Sequence, residues 1–109
     1  MSKKIIWLFD CDGTLLNDRG EITPETRNVI RKLAENPENY LIFASGKSYA
    51  GVEKVCSQLN MLDDFKYYIC FNGCEIFESG SKKVLFNRSL NWKDTRRIVT
   101  LAKRNNIPC

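Results

Sequence analysis

The apolar run Ile5-Ile6-Trp7-Leu8-Phe9, closed by Asp10-Cys11-Asp12-Gly13-Thr14, constrains this chain more than any other segment. A short, nearly continuous run rich in β-branched and aromatic side chains reads as a buried strand, here over residues 3–9, of the kind found in parallel sheets covered by helices. Two carboxylates then stand at its carboxyl end, where open α/β sheets bind their ligands. Residues i and i+2 of an extended chain project the same way, and a turn begun at Gly13 lets the two acids be aimed separately at one centre. Two acids sharing one site imply divided labour. One serves as a nucleophile and metal ligand, while the other trades a proton with the leaving group.

The remaining punctuation predicts alternating strands and helices. Thr23-Pro24 combines an N-cap with a proline at the first helical position, opening a helix over residues 24–35 that Asn36-Pro37 stops. Val29, Ile30, Leu33 and Ala34 form one stripe able to lie on a sheet. Residues 40–44 read as a second strand, and strand, helix, strand in this order implies a right-handed crossover with parallel pairing. Ser45-Gly46-Lys47 therefore follows the second strand on the same sheet edge as Asp10. Ser48 caps a second helix to about residue 60, with Val52, Val55, Cys56 and Leu59 on one face. Residues 66–71 predict a third strand, Asn72-Gly73 a turn, and residues 74–78 and 82–86 a hairpin. Asn91 caps a last helix, to about residue 105, that carries Ile98, Val99, Leu101 and Ala102. Trp7, Phe9 and Phe43 are assigned to the core, and Trp92 to packing beside the last helix start.

Composition narrows the classes. A chain of 109 residues suits one domain with little stability to spare. No apolar stretch approaches the ~20 residues of a membrane span, so no membrane partner is expected. Met1-Ser2-Lys3-Lys4 leads into the first strand without a small-residue cleavage site, which makes a secretory signal unexpected and the cytoplasm the default. The five cysteines, Cys11, Cys56, Cys70, Cys74 and Cys109, are odd in number and have no histidine to join them, a pattern of reduced thiols and not of a zinc site. Lys93, Arg96, Arg97, Lys103 and Arg104 read as a solvated helix face. Nucleic-acid binding would need a denser patch with interleaved aromatics, so no nucleic-acid partner is expected. The net charge of +4 favours anionic phosphate substrates.

Asp10 through Leu15 resembles motif I, D-x-D-G-T-L, of the haloacid dehalogenase-like (HAD) phosphohydrolases, without a gap. The resemblance implies a HAD-like (Rossmann-like) α/β fold, a parallel sheet with flanking helices, plus a hairpin and the start of an α/β cap domain. A carboxylate at a strand end can attack phosphorus in line, which makes Asp10 the candidate nucleophile and aspartyl-phosphate the intermediate. An anionic acid attacking a phosphate dianion needs a hard cation bridging the two, and oxygen ligands with retained waters point to Mg²⁺. The resemblance adds the main-chain carbonyl of Asp12 to the metal ligands. The Asp12 side chain is the acid/base that distinguishes a hydrolase or mutase from the ion pumps, whose D-K-T-G-T lacks that acid. Gly13 turns the backbone toward the phosphate, Thr14 stabilises the turn, and Leu15 and Leu16 pack.

Ala44-Ser45-Gly46-Lys47 resembles the A-T-G-R form of motif II, in which the hydroxyl, here that of Ser45, and the neighbouring amides hold a phosphate oxygen. Taken alone, Ser-Gly is an ordinary loop. Lys47 sets a point charge where the family has a bidentate arginine fork. Asn72-Gly73 resembles the N-G-A of the Cof-type (cap type IIB) branch with Cys74 for alanine, and Asn72 is a site-edge residue on that reading and a plain hairpin turn on the other.

The resemblance divides the chain into residues 1–86, the N-terminal part of the core with its hairpin, and residues 87–109, the start of a cap. Neither the basic residue of motif III nor the acidic pair of motif IV is found after residue 86, so an incomplete, N-terminal portion is expected. The first functional expectation is a Mg²⁺-dependent phosphatase of small phosphorylated metabolites, sugar phosphates above all. The alternatives are a phosphohexomutase of the same superfamily, or an inactive fragment that acts by binding. An unpaired sheet edge would invite self-association or a missing C-terminal half. A receiver domain fits less well, because its acceptor aspartate ends the third strand, where this chain has Asn72.

Overall fold

The computed structural model describes residues 3–109. Each α-helix starts at a side-chain cap that satisfies one of the donors a helix start leaves unpaired. Thr23 accepts from the Thr26 amide ahead of α1 (Pro24–Glu35), Ser48 from Gly51 ahead of α2 (Tyr49–Gln58), and Asn91 from Asp94 ahead of α3 (Trp92–Arg104). The strands are β1 (Ile5–Asp10), β2 (Asn39–Ala44), β3 (Tyr67–Cys70), β4 (Glu75–Glu78) and β5 (Val84–Asn87). They form one five-stranded sheet in the order β1-β2-β3-β4-β5.

β1, β2 and β3 run parallel, whereas β4 and β5 are antiparallel additions. The expected hairpin is therefore part of the main sheet and makes it mixed. A single turn of 3₁₀ helix at Phe71–Gly73 is too short for a crossover, so β4 folds straight back on β3.

The core lies where α1 packs on β2 and α2 on β3. Phe43 sits at its centre, 1% exposed, with edge-on contacts to Phe65 and Tyr68 at ring separations of 5.2 and 6.4 Å. Ile30, Leu41, Val52, Cys56 and Met61 close around them. Leu15 and Leu16 are buried here too, which bears out their packing role.

Three expectations are corrected. β1 is not buried: Ile6 and Leu8 are 62% and 60% exposed, because β1 is the sheet's edge among the described residues and the helices cover β2 and β3 instead. Trp7, expected in the core, is 37% exposed; its ring stacks on Phe9 and its Nε1 donates to Asn39 Oδ1 (3.1 Å). The apolar stripe of α3 buries none of its residues, Trp92 is 77% exposed, and Val29 on α1 likewise faces outward. Among the described residues no helix is long and apolar enough to cross a membrane.

Two outcomes follow from this packing. Phe43→Ala should lower the unfolding free energy by about 3–5 kcal/mol in urea titration, against less than ~1 kcal/mol for Leu8→Ala on the exposed face. Burial pushes the Cys56 thiol from an ordinary 9.0 up to about 12 and the Cys70 thiol up to about 11. A thiol held neutral in the fold binds more protons there than in the unfolded chain once pH passes 9. Its contribution is therefore complete below pH 9 and lost as pH rises toward 11 and 12. Melting temperature should be flat in this respect up to pH 9 and fall above it. Chemical titration at pH 8 should find Cys74 and Cys109 fast and Cys11, Cys56 and Cys70 slow, since only the first two are exposed.

Candidate active site

The parallel registration aligns the strand ends. Asp10 pairs with Ala44 across β1 and β2, and Ala44 with Ile69 across β2 and β3. The loops that follow, 11–16, 45–48 and 71–73, therefore meet at one edge. This is the carboxyl edge at which the acids were expected.

In the first loop the chain keeps its alternation for two residues past Asp10, with Asp10 and Asp12 exposed and Cys11 between them 1% exposed. Side chains of an extended segment alternate, so burying Cys11 turns both acids outward. The Cys11 carbonyl then accepts from the amides of Thr14 (3.4 Å), Leu15 (3.1 Å) and Leu16 (3.0 Å), closing a tight turn. Gly13 makes the turn possible at φ +77°, a left-handed conformation costly for residues with a Cβ. Burial raises the Cys11 thiol above its ordinary value, and the Asp12 charge adds to it, so Cys11 is an anchor and not a nucleophile.

In the second loop Ser45 is nearly buried. Its amide donates to the Ile69 carbonyl (2.9 Å), and its Oγ accepts from the Lys47 amide (3.1 Å). The hydroxyl proton remains free to donate. Among the described residues the Gly46 N–H has no protein acceptor, so hydroxyl and amide together offer two donors to an anion. Of the amides at this loop, that of Ser45 is used by the Ile69 carbonyl and that of Lys47 by the Ser45 hydroxyl oxygen. α2 begins directly after the loop and brings the positive end of its dipole to this edge. Lys47 Nζ lies 3.5 Å from Asp12 Oδ2 in a partly exposed pair, placing the second acid and the loop cation together.

The third loop holds Phe71 at φ +48° and Asn72 at φ +54°, followed by Gly73 at +96°. A left-handed backbone costs each non-glycine residue roughly 1–2 kcal/mol, less for asparagine. The Phe71 amide donates to the Lys47 carbonyl (3.0 Å) and the Asn72 amide to the Ser45 carbonyl (3.3 Å), tying this loop to the second. Asp10, Ser45, Gly46, Ile69, Asn72 and Gly73 line one open cavity of about 270 Å³. Asp12, Gly13 and Lys47 stand outside its lining. A larger groove of about 690 Å³ runs along α3, but it is bounded by residues of α3 alone and carries no acid.

Asp10 and Asp12 supply hard oxygen donors, and among the described residues no group of three or more histidine, cysteine or acidic side chains converges. One or two carboxylates completed by water and phosphate oxygens suit Mg²⁺ and not a closed zinc site. Three features of the cluster were not found by sequence reasoning: the burial of Cys11 between the acids, the pairing of Lys47 with Asp12, and the left-handed backbone at Phe71.

Comparison with known proteins gives a consistent picture. Residues 7–109 match the family model of the haloacid dehalogenase-like hydrolases. A haloacid dehalogenase-like hydrolase from Bacteroides thetaiotaomicron superposes with a TM-score of 0.79 at 28% identity, over 96% of this chain and 39% of that one. An HMP-PP phosphatase of Serratia proteamaculans is 32% identical over 70% of this chain and 26% of its own length. Phosphomannomutase 1 of Dictyostelium discoideum is 35% identical over 70% of this chain and 29% of its own. The chain thus spans roughly a third of the length of the relatives it matches.

An exposed ion pair contributes little to folding. Lys47→Met should therefore move the unfolding free energy by less than about 1 kcal/mol in denaturant titration.

Proposed function

The chain belongs to the haloacid dehalogenase-like hydrolases, and from that premise we propose that it carries the nucleophile half of a phosphatase acting on small phosphorylated substrates. The observation that carries the reading is the alignment of Asp10 with Ala44, which sets a strand-end carboxylate beside the free Ser45 hydroxyl and Gly46 amide in one cavity. A nucleophile beside anion donors is what phosphoryl transfer requires, since catalysis there is mainly positioning and charge stabilisation.

In this reading Ser45, Gly46 and Lys47 hold the phosphate oxygens, Gly13 shapes the turn that presents Asp10, and Asn72 bounds the cavity. An Asp10 carboxylate oxygen forms a bond to phosphorus as the bond to the leaving oxygen breaks, and Asp12 gives that oxygen its proton. Water then attacks the aspartyl-phosphate while Asp12 takes back a proton, releasing inorganic phosphate and restoring Asp10. The Asp10 carboxylate and the main-chain carbonyl of Asp12 would hold Mg²⁺, which would supply neutralisation of the phosphate charge. Lys47 keeps Asp12 beside the loop and adds a positive charge there.

Sugar phosphates are the substrate class we favour. The mutase reading draws support from the likeness to a phosphomannomutase, and the two differ in whether water or a second sugar hydroxyl receives the phosphoryl group. Residues 1–86 serve as core and residues 87–109 as the start of a cap, with the exposed face of α3 and the edge of β1 that is unpaired among the described residues open to further chain or to a second copy.

The test is phosphate release from an aryl phosphate with Mg²⁺ and with EDTA. Asp10→Asn should reduce release to the uncatalysed background, and Asp12→Asn should slow it by about 10²-fold or more, the range for loss of a general acid–base. Metal-dependent release that survives Asp10→Asn would sink the assignment.

A further inference from the structure

Neither conformation nor burial explains a phenylalanine at position 71. Its φ of +48° lies in the left-handed region, which glycine and asparagine enter readily and a bulky side chain avoids. Asn72 and Gly73 beside it share that region and are the residue types suited to it. The Phe71 ring is 45% exposed, lies outside the buried core cluster and, among the described residues, pairs with no other aromatic. Main-chain bonds hold the conformation: the Phe71 amide donates to the Lys47 carbonyl (3.0 Å), and the Phe71 carbonyl accepts from the Cys74 amide (3.2 Å). Glycine would make both bonds without strain. What phenylalanine adds is the ring.

We infer that Phe71 is a specificity residue, whose ring packs on the leaving group and selects phosphomonoesters with a ring in their organic part, either an aromatic ring or the apolar face of a sugar. The inference rests on the phosphoryl-transfer reading and extends it from the phosphate to the organic half of the substrate. Phe71 directly precedes Asn72 and Gly73, which line the cavity with Asp10, Ser45 and Gly46, and it stands outside that lining itself. A cavity of about 270 Å³ that takes the phosphoryl group leaves the organic part to project from its open side, past a rim to which loop 71–73 belongs. The amide bond to the Lys47 carbonyl ties this rim to the loop that binds the phosphate. Ligand sites combine a few polar groups that fix orientation with apolar and aromatic surface for the body of the ligand. Ser45 and Gly46 supply the first here, and Phe71 the second. A left-handed backbone kept at an exposed aromatic beside a ligand site is the kind of outlier from which a function is inferred.

Phenylphosphonate and methylphosphonate are the probes, since both present a phosphate-like head, both resist hydrolysis, and only one carries a ring. Calorimetry with Mg²⁺ should find phenylphosphonate bound about three- to tenfold more tightly by the unsubstituted chain, the range expected of an aromatic pair. Phe71→Ala should cut that preference to less than about twofold and leave the affinity for methylphosphonate unchanged. Phe71→Tyr keeps the ring and should keep the preference. Equal affinity for the two probes in the unsubstituted chain, or a preference that survives Phe71→Ala, would overturn the role of Phe71 and leave the phosphoryl-transfer reading intact. Equal losses for both probes in Phe71→Ala would do the same, because they would mark a purely structural side chain. Binding of neither probe by the unsubstituted chain would overturn that reading and the inference together. If Phe71→Ala does not fold, Phe71→Asn takes its place, since asparagine tolerates φ +48°. Failure of both variants to fold would make the ring a structural element and overturn the inference.

Discussion

The parallel registration of β1 on β2 is the constraint on which the rest depends. Pairing Asp10 with Ala44 ends both strands at one level, so that the residues immediately beyond them face each other across a single strand spacing. Displacing that register by one residue would move every side chain of β1 to the opposite face. Asp10 would then exchange orientation with Cys11, and a thiol would stand beside Ser45. What holds the register is asymmetric: β2 is packed on by α1 and filled by Phe43 and Leu41, whereas β1 leaves Ile6 and Leu8 in contact with solvent. Asp10 thus sits on the less covered strand, and its placement relies on the hydrogen-bond ladder and on the Cys11 anchor just past it.

That anchor shows how structure and chemistry are joined. One buried side chain between two acids turns both outward, and one carbonyl taking three amides folds the chain back so that Leu15 and Leu16 reach the core. The acids need no burial of their own. The turn is a strand-end device that converts alternation into a site, with Gly13 providing the conformation.

Much of this was legible in the residues. Thr23-Pro24, Ser48 and Asn91 mark all three helix starts, since each cap has a specific donor to satisfy. Motif I and the Ser-Gly loop were placed on one edge because strand, helix, strand leaves little choice of pairing. What escaped prediction depends on partners distant in sequence. Continuous apolar character in residues 5–9 reads as burial, but whether a strand is covered is decided by where the helices land, and they land on β2 and β3. The stripe of α3 reads as a packing face for the same reason and finds no partner among the described residues. Lys47 meeting Asp12 and the Phe71 amide meeting the Lys47 carbonyl are contacts between loops, which neither periodicity nor propensity encodes.

The central claim is that Asp10 itself receives the phosphoryl group. The most direct measurement is to expose the chain to an aryl phosphate with Mg²⁺, quench in acid, reduce with borohydride and map the product by peptide mass spectrometry. An acyl phosphate at Asp10 would be reduced to homoserine at position 10, and this is the result the account predicts. An unmodified Asp10 accompanied by phosphate on Ser45, or by none anywhere despite turnover, would contradict it.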